Sequence, residues 1–347
     1  MQLLEWDGTG EHERVVFGQD SESGYRGIIA IHSTTLGPAV GGTRFWNYPD
    51  DQAALEDALR LSRGMTYKNA LAGLPFGGGK SIIIGNNKIV DREAIFRAHG
   101  RFIETFQGRY IAAEDVGTNT SDMDYVRLET DHVAGLADRS GDPSPATAHG
   151  VFRAIQAAAK HRWGHDDISG RSVAVQGCGN VGYHLCKQLK RSGARLVVTD
   201  PDSSKVQRCV TEFGAVQVEP DEIYGVEADI FAPCALGGIL NSVTIPRLKV
   251  TIVSGSANNQ LLEPAHGDML EERDILYAPD YVANAGGIIS GGCIELLGWE
   301  PSRAFDRVNR IYDTLLNIFE IARRDNIPTY RAADRLAEQR LASPDRP

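Results

Sequence analysis

The stretch RSVAVQGCGNVGYHLCKQL, residues 171–189, decides the fold of this chain. It begins with a short apolar run typical of a buried strand, continues as a Gly-x-Gly-x-x-Gly loop (Gly177, Gly179, Gly182), and ends in an amphipathic helical pattern. Strand, loop and helix in this order predict a dinucleotide site. The first glycine allows a tight turn, the second lets the backbone approach a pyrophosphate at the helix N-terminus, and the third lets the helix pack on the strand.

An acidic residue at the end of the next strand pattern indicates which dinucleotide is bound. The run 194–200 reads as a second strand and ends at Asp200. A carboxylate here would accept hydrogen bonds from the adenosine ribose and would repel a 2′-phosphate. Arg195 lies at the start of that strand, where it offers no obvious phosphate partner. The sequence therefore predicts NAD rather than NADP as the cofactor.

Strand and helix patterns alternate on both sides of a polar stretch. Before it, β-rich runs at 27–31 and 81–84 mix with helical patterns at 51–64 and 91–107. After it, a helical pattern at 146–162 leads into alternating strands and helices up to about residue 290, which is typical of a parallel sheet with crossover helices. The stretch itself, residues 138–145, is rich in Asp, Ser, Pro and Gly and suits a linker.

The predicted fold class is therefore α/β with two domains separated by a cleft. An N-terminal α/β substrate domain, also used for oligomerisation, is expected at 1–143, and a Rossmann-type doubly wound dinucleotide-binding domain at 144–325. The C-terminal pattern predicts a helix at 302–325, a turn at 326–328, and a last helix within 326–347 that packs back on the first domain.

Composition narrows the class of partner. The chain has 347 residues and a formal net charge of −10, which argues against nucleic acid and favours a small-molecule ligand. No apolar segment is long enough for a bilayer, and the start has no signal-peptide pattern, so we expect a cytoplasmic protein with no membrane partner. The five cysteines, an odd number without a CxxC pair, suggest reduced thiols and no metal site.

Two lysines and an aspartate are the candidates for chemistry. Lys68 and Lys80 bracket a run of small and apolar residues, where an ammonium without a partner would be costly to bury. The glycines 77–79 before Lys80 suggest unusual backbone conformations near a ligand. Asp115 follows the strand pattern that starts at Tyr110, and spacing alone leaves a catalytic role and a helix cap equally open.

Several runs together resemble the glutamate, leucine, phenylalanine and valine dehydrogenase superfamily, with the leucine dehydrogenases as the most similar group. The resemblance covers about residues 11–340 and rests on the runs 41–44 (GGTR), 64–68 (GMTYK), 77–80 (GGGK), 114–117 (EDVG), 229–237 (DIFAPCALG) and 256–260 (SANNQ). It implies reversible, NAD-dependent oxidative deamination of an apolar L-amino acid to the 2-oxo acid and ammonia, with leucine and other branched-chain amino acids as the expected substrates.

The resemblance also implies roles for single residues. Lys68 would bind the substrate α-carboxylate, Lys80 would be the catalytic lysine, and Asp115 would transfer protons to and from the α-amino group. These roles are physically reasonable, because a charged lysine pairs with a carboxylate and burial beside a second cation lowers the pKa of another lysine. Asn259 would lie near both substrate and nicotinamide, and the alternative is that Asn258 and Asn259 are turn residues.

The same resemblance indicates which residues select the substrate side chain. Glutamate-specific members place a lysine where this chain has Val40, so a distal carboxylate is disfavoured here. Gly41, Ala113, Ile288 and Gly291 would surround the side chain, although core packing explains some of them equally well. Leucine dehydrogenases usually carry one residue fewer and a valine where this chain has Gly291. The larger pocket that follows keeps phenylalanine or another aromatic amino acid as an alternative substrate.

The remaining expectations concern cofactor contacts and assembly. A homo-oligomer is expected, as an octamer, tetramer or dimer. Two rival classes are a catalytically silent nucleotide-binding regulator and a 2-hydroxy acid oxidoreductase, and the second lacks a histidine in a suitable motif. The candidate cofactor-binding residues are Gly177, Gly179, Asn180, Val181, Gly182, Asp200, Thr147, Ala235 and Asn259.

Overall fold

A computed structural model describes residues 11–136 and 141–343. These residues divide into two compact units. The first contains residues 11–136, 141, 291–298 and 337–343, and the second contains Asp142–Ser290 and Trp299–Leu336. Part of the predicted linker, residues 138–140, and the last residues of the predicted C-terminal segment, 344–347, lie outside the described residues. The assignment of 1–143 and 144–325 to two functional domains stays a prediction.

The first unit contains a five-stranded mixed sheet with the strand order β1-β2-β4-β3-β5. Strand β2 runs antiparallel to both of its neighbours, whereas β3 runs parallel to β4 and β5. The carboxyl ends of β3, β4 and β5 therefore share one edge of the sheet. The strands are β1 (Arg14–Asp20), β2 (Tyr25–Ser33), β3 (Ala39–Trp46), β4 (Gly77–Ile84) and β5 (Tyr110–Glu114).

Helices cover both faces of this sheet. They are α1 (Asp51–Ala72), α2 (Glu93–Glu104) and α3 (Thr120–Arg127). Helix α1 contributes Leu55 and Ala58 to a core with Ile28 and Ile82 on one face. A second core, on the other face, contains Phe96, Phe106, Tyr110 and Met123 among its buried residues. Burial on both faces explains why β2 and β4 are almost continuously apolar or small.

Helix α1 is delimited by two local signals. The Asp50 side chain accepts a hydrogen bond from Ala53 N at the start, and Gly73 adopts the left-handed conformation at the end. The helix is therefore longer than the predicted 51–64, and it carries Lys68 on its last turns. Near that end, Arg340 donates to the carbonyl oxygens of Ala70 and Leu71 at 2.9 and 2.6 Å.

The second unit contains a six-stranded sheet in which every pair of neighbours is parallel. Its strands are β6 (Ser172–Gln176), β7 (Arg195–Thr199), β8 (Val216–Gln217), β9 (Ile230–Pro233), β10 (Ile252–Val253) and β11 (Leu276–Tyr277). The order β11-β10-β9-β6-β7-β8 is that of a doubly wound Rossmann sheet, in which the strand order reverses between β6 and β9. The predicted fold class is confirmed.

The remaining helices connect and follow these strands. They are α4 (Ser144–Trp163), α5 (Asn180–Arg191), α6 (Ser203–Phe213), α7 (Ala265–Glu272), α8 (Asp280–Ala283), α9 (Gly286–Leu297), α10 (Pro301–Asn309), α11 (Ile311–Asp325) and α12 (Thr329–Ala342), with short 3-10 helices at Glu222–Gly225 and Ile245–Arg247. The single helix predicted at 302–325 is two helices, α10 and α11, separated at Arg310.

Candidate active site

The glycine loop in the second unit has the local geometry that its sequence predicts. Gly177 has φ +101°, a conformation that side chains rarely adopt. A Cβ on Gly182 would lie 1.9 Å from the carbonyl oxygen of Gly177, so only glycine lets α5 pack this closely on the loop. A Cβ on Gly179 would meet nothing within 4 Å, which leaves the approach to the first turn of α5 open. This loop fits a dinucleotide pyrophosphate.

The acid predicted to contact the ribose lies directly after β7. Asp200 Oδ2 accepts a hydrogen bond from Cys178 N at 2.8 Å, and Oδ1 accepts one from Asp202 N at 2.9 Å. The carboxylate is thus fixed beside the glycine loop, and further lone pairs on its oxygens are available for hydroxyl donors. With the open glycine loop, this arrangement fits the adenosine ribose of a dinucleotide.

Other predicted cofactor residues of the second unit lie on neighbouring segments. Ala235, in the segment that follows β9, borders the glycine loop. A Cβ placed on Gly177 would lie 2.9 Å from the Cβ of Ala235. Asn259 has φ +52°, and its carbonyl oxygen accepts a hydrogen bond from Gly238 N at 2.7 Å. The Thr147 hydroxyl in α4 donates to the carbonyl oxygen of Pro143 at 3.0 Å. Loops after β6 and β9 border the point where strand order reverses, the usual ligand position in such sheets.

In the first unit, the structure brings two of the predicted catalytic residues into direct contact. Lys80 Nζ lies 2.8 Å from Asp115 Oδ2. The side chain of Lys80 is 5% exposed and that of Asp115 is 20% exposed, so the pair is largely shielded from water. Asp115 follows β5 and does not cap a helix, because Asn119 is the N-cap of α3. The helix-cap alternative for Asp115 is therefore wrong.

Two glycines of β3 make room for this pair. Strand β3 lies between β4, which carries Lys80, and β5, which leads to Asp115. A Cβ on Gly42 would lie 2.8 Å from Asp115 Cβ, and a Cβ on Gly41 would lie 1.8 Å from the carbonyl oxygen of Gly79. Any side chain at these positions would displace the neighbouring strands, which explains the glycine pair in the sequence.

The glycines that precede Lys80 serve packing and not unusual conformations. Gly77, Gly78 and Gly79 are part of strand β4, and none has a positive φ, so that expectation is wrong. A Cβ on Gly78 would lie 2.0 Å from Thr66 N, and a Cβ on Gly79 would lie 2.7 Å from the ring of Tyr110. The glycines therefore let α1 approach one face of β4 and Tyr110 the other.

The close approach of α1 also determines where Lys68 lies. The side-chain amide of Asn69 donates to the carbonyl oxygen of Gly77 at 2.6 Å, which fastens the last turns of the helix to the strand that carries Lys80. Lys68 is half-buried on these turns. Both lysines thus belong to one rigid helix–strand contact, in agreement with the short sequence distance between them.

The charges around the Lys80–Asp115 pair shift both pKa values. Burial lowers the pKa of Lys80 below its ordinary value, the Asp115 carboxylate opposes this shift, and the Arg44 guanidinium adds to it. Burial alone would raise the pKa of Asp115, but the charges of Lys80 and Arg44 outweigh it and lower the pKa to about 2. Asp115 is therefore ionised at neutral pH.

Arg44 is a member of this site to which sequence reasoning gave no role. Its Nε donates to Asp115 Oδ2 at 2.9 Å, and its Nη1 donates to Asp57 Oδ2 at 2.8 Å. Asp57 also accepts hydrogen bonds from the hydroxyl of Tyr48 at 2.6 Å and from Arg60 at 2.6 Å. The alternation of side chains along β3 puts Arg44 on the same face as Gly42, a signal that the sequence contained.

The residues predicted to select the substrate side chain are described in the unit to which each belongs. Val40 is 2% exposed, Gly41 is buried, and Ala113 is half-buried in the sheet of the first unit. Gly291 belongs to the first unit and Ile288 to the second, both within α9. In the described residues, no group of three or more His, Cys, Asp or Glu could hold a metal ion, and no helix is long and apolar enough to cross a membrane.

Comparison with known proteins agrees with both units. Residues 12–132 match a family profile described as "Glu/Leu/Phe/Val dehydrogenase, dimerisation domain", and residues 140–206 and 199–342 match one described as "Glutamate/Leucine/Phenylalanine/Valine dehydrogenase". A leucine dehydrogenase of Geobacillus stearothermophilus is 58% identical over 98% of this chain and 94% of its own. A leucine dehydrogenase of Bacillus cereus is 57% identical over 99% of this chain and 94% of its own.

The fold of this chain is also similar to that of a solved structure, the crystal structure of L-tryptophan dehydrogenase from Nostoc punctiforme. The two chains are 47% identical and superpose with a TM-score of 0.86 over 97% of each chain. The fold, the glycine loop and these matches define an amino acid dehydrogenase that uses a nicotinamide dinucleotide. The chain belongs to the Glu/Leu/Phe/Val dehydrogenase family.

Proposed function

We propose that this protein catalyses the reversible, NAD-dependent oxidative deamination of an apolar L-amino acid, with leucine as the first candidate substrate. The observation that carries the proposal is the buried contact between Lys80 and Asp115, 2.8 Å between Nζ and Oδ2, in the unit that also holds Lys68. A neutral lysine can activate water, an aspartate can exchange protons with an amino group, and a charged lysine can bind a carboxylate.

Substrate binding is assigned to Lys68 and the chemistry to the buried pair. Lys68 holds the α-carboxylate as an ion pair, which orients the α-carbon. Because two cations contact Asp115 Oδ2, this carboxylate becomes a useful proton acceptor only after Lys80 has lost its proton. Bound NAD supplies the acceptor for the hydride that leaves the α-carbon, and the residues expected to hold it are Gly177, Gly179, Asn180, Val181, Gly182, Asp200, Thr147, Ala235 and Asn259.

The second half of the reaction uses the same two side chains. Neutral Lys80 takes a proton from a water molecule, whose oxygen adds to the imine carbon. Asp115 then delivers a proton to the amino group and the C–N bond breaks. The departing ammonia takes the proton of the hydroxyl group, so the products are ammonium and the 2-oxo acid. Lys80 returns its proton to solvent to complete the cycle.

The preference for an apolar substrate rests on the residues assigned to the side-chain pocket. Val40 is buried and offers no partner for a distal carboxylate, so glutamate would leave an uncompensated charge. Gly41, Ala113, Ile288 and Gly291 complete the proposed pocket. The leucine dehydrogenases, at 53–58% identity, support leucine. The tryptophan dehydrogenase, at 47% identity, keeps an aromatic substrate as the second candidate, because Gly291 adds space.

We also propose that the first unit binds substrate and mediates assembly as a homo-oligomer, and that the second unit binds NAD. The match of residues 12–132 to a dimerisation-domain profile supports the first assignment, and the loop at Gly177 with Asp200 supports the second. The oligomer is proposed as an octamer, tetramer or dimer, and the cytoplasm as the location.

One kinetic panel tests the proposal. The value of kcat/KM is measured for leucine, valine, isoleucine, norleucine, phenylalanine, tryptophan and glutamate, each with NAD and with NADP. We expect the highest values for leucine and its branched-chain relatives with NAD. Higher values for an aromatic substrate would favour the second candidate, whereas a preference for glutamate or for NADP would refute the assignments of Val40 and Asp200.

A further inference from the structure

Arg44 contacts Asp115, but the proposed reaction assigns proton transfer to Lys80 and Asp115 alone and gives Arg44 no role. Arg44 Nε and Lys80 Nζ bind the same oxygen of Asp115, Oδ2, at 2.9 and 2.8 Å. The two cations differ in kind. The guanidinium of Arg44 keeps its charge at every working pH, whereas the ammonium of Lys80 must lose its proton during the proposed cycle.

This difference matters at the moment when Lys80 becomes neutral. A buried carboxylate next to a neutral amine would tend to take up a proton, because burial disfavours its charge. A permanent cation on the same oxygen prevents this. It also repels the proton on Lys80, so that the lysine reaches its neutral form at a lower pH.

Arg44 is itself held in place from its other side. Its Nη1 donates to Asp57 Oδ2 at 2.8 Å, and Asp57 receives the Tyr48 hydroxyl at 2.6 Å. Side chains of Arg44 and Asp57 are 17% and 14% exposed. A cavity of about 530 Å³ adjoins this end of the network and is lined by Arg44, Trp46, Tyr48, Ala53, Glu56, Asp57, Arg60 and Val116.

We propose that Arg44 is a positioning residue for the reaction: it holds Asp115 by Oδ2, keeps this carboxylate ionised when Lys80 is neutral, and leaves Oδ1 to exchange the proton with the substrate. In the described residues, Oδ2 is the oxygen that both cations contact. The inference rests on the proposed function, because it assigns Arg44 to the same proton transfers. Asp57 serves as the anchor that fixes the guanidinium.

The groups that act electrostatically on this pair come from three elements. Arg44 comes from β3, Asp57 from α1, and Tyr110 from β5. Burial raises the pKa of Tyr110 above its ordinary range, so Tyr110 stays neutral at working pH. Asp57 is ionised, because its bonds to Tyr48 and Arg44 outweigh burial and hold its pKa below the ordinary value. Arg44 is therefore the permanent cation of this set.

The first test is the pH profile of kcat/KM for oxidative deamination in Arg44→Gln and Arg44→Lys. In the proposed mechanism the rising limb reports the loss of a proton from Lys80. We expect Arg44→Gln to move its midpoint up by about one pH unit, because Lys80 loses its cationic neighbour. Arg44→Lys retains the charge but cannot bond both carboxylates in the same way, so its midpoint stays near that of the parent while kcat falls.

A matched control comes from Arg60. It donates to Asp57 Oδ1 at 2.6 Å, and its side chain is 55% exposed. Arg60→Gln removes a cation from Asp57 without removing the guanidinium from Asp115, and its pH midpoint should equal that of the parent. A uniformly lower rate in Arg44→Gln with an unmoved midpoint would show a merely structural role and overturn the proposal.

A second measurement does not depend on catalytic activity. The rate at which acetic anhydride acetylates Lys80, followed by mass spectrometry as a function of pH, reports the pKa of this lysine directly. We expect the pKa to be higher in Arg44→Gln than in the parent and in Arg60→Gln. If the parent oxidises no amino acid, the proposed function fails, but the labelling still decides the role of Arg44. An equal pKa in all three proteins would refute it.

Discussion

Lys80 and Asp115 meet although their strands are not neighbours: Nζ of Lys80 lies 2.8 Å from Oδ2 of Asp115, and β3 runs between β4 and β5. The register of β3 with β4 puts Lys80 level with Gly42, and a Cβ on this glycine would lie 2.8 Å from Asp115 Cβ. The absence of a side chain at Gly42 is therefore a condition of the site, and it can be tested by adding one methyl group.

Gly42→Ala should remove most of the activity while the protein still folds. Its Cβ would lie 2.8 Å from Asp115 Cβ and 2.5 Å from the carbonyl oxygen of Glu114, so the end of β5 must move. A displacement of about 1 Å commonly costs about 100-fold in rate. Steady-state kinetics and an NAD titration measure the two effects, and NAD affinity should be unchanged.

The matched control for Gly42→Ala is Gly64→Ala. Gly64 lies inside α1, and a Cβ there would meet nothing within 4 Å. Alanine is favoured over glycine in a helix by about 0.5–1 kcal/mol, so this variant should be fully active and slightly more stable. Full activity in Gly42→Ala would show that β3 does not control the position of Asp115.

Neutral, buried His99 should make the free energy of unfolding of the first unit fall as the pH is lowered below 6.5. Burial lowers the pKa of His99 to about 3, and its ring bonds to the Tyr25 hydroxyl at 2.8 Å. In the unfolded chain His99 takes up a proton near pH 6.5, whereas in the folded protein it does so only near pH 3. The contribution of neutral His99 to the free energy of unfolding is therefore complete above pH 6.5 and is lost as the pH falls from 6.5 to 3.

Urea denaturation of the parent and of His99→Gln at several pH values between 7 and 4 measures this contribution. The parent should lose on the order of 1 kcal/mol more per pH unit than the variant within the window. The comparison uses the slope and not the absolute stability, since the substitution also changes a buried hydrogen bond. Parallel slopes would mean that His99 is protonated in the folded protein.

The choice between NAD and NADP should depend on the charge of Asp200. Asp200→Asn keeps an oxygen that can accept the hydrogen bond from Cys178 N but removes the repulsion of a 2′-phosphate. We expect the ratio of kcat/KM for NAD to that for NADP to fall about tenfold, which corresponds to about 1.4 kcal/mol. The ratio is measured with one amino acid substrate at saturation.

Asp202→Asn is the control for Asp200→Asn. It makes the same change of charge two residues away, and asparagine preserves the N-cap that Asp202 provides to α6. Its cofactor ratio should be that of the parent. The same fall of the ratio in both variants would show that the preference depends on the general negative charge and not on the position of Asp200.

The size of the substrate side chain should respond to Gly291. Gly291→Val introduces the residue that the leucine dehydrogenases usually carry there, and we expect kcat/KM for phenylalanine to fall relative to leucine by about 10- to 100-fold. The change in the ratio is the readout, because a general loss of activity would lower both values. An unchanged ratio would place Gly291 outside the pocket.

Sequence reasoning predicted the local geometry where the residues concerned lie close together in the chain or follow consecutive strands. The glycine loop and Asp200 follow consecutive strands of a parallel sheet, so their meeting follows from the fold class. Sequence reasoning did not predict the contacts at the place where β3, β4, β5 and α1 meet. The absence of a side chain at Gly78 is required by Thr66 in α1, and the contact of Arg44 with Asp115 depends on the register of β3 and β5. Neither partner can be read from a local pattern.

The most direct test of the account is the comparison of the parent with Lys80→Ala and Asp115→Asn. In each protein, NAD binding is measured by calorimetry, and the formation of NADH from leucine is followed over many turnovers in the steady state, which requires both halves of the reaction. We predict that both variants bind NAD as the parent does and form NADH at least 100-fold more slowly. Steady-state rates near that of the parent would contradict the claim that this buried pair carries the chemistry.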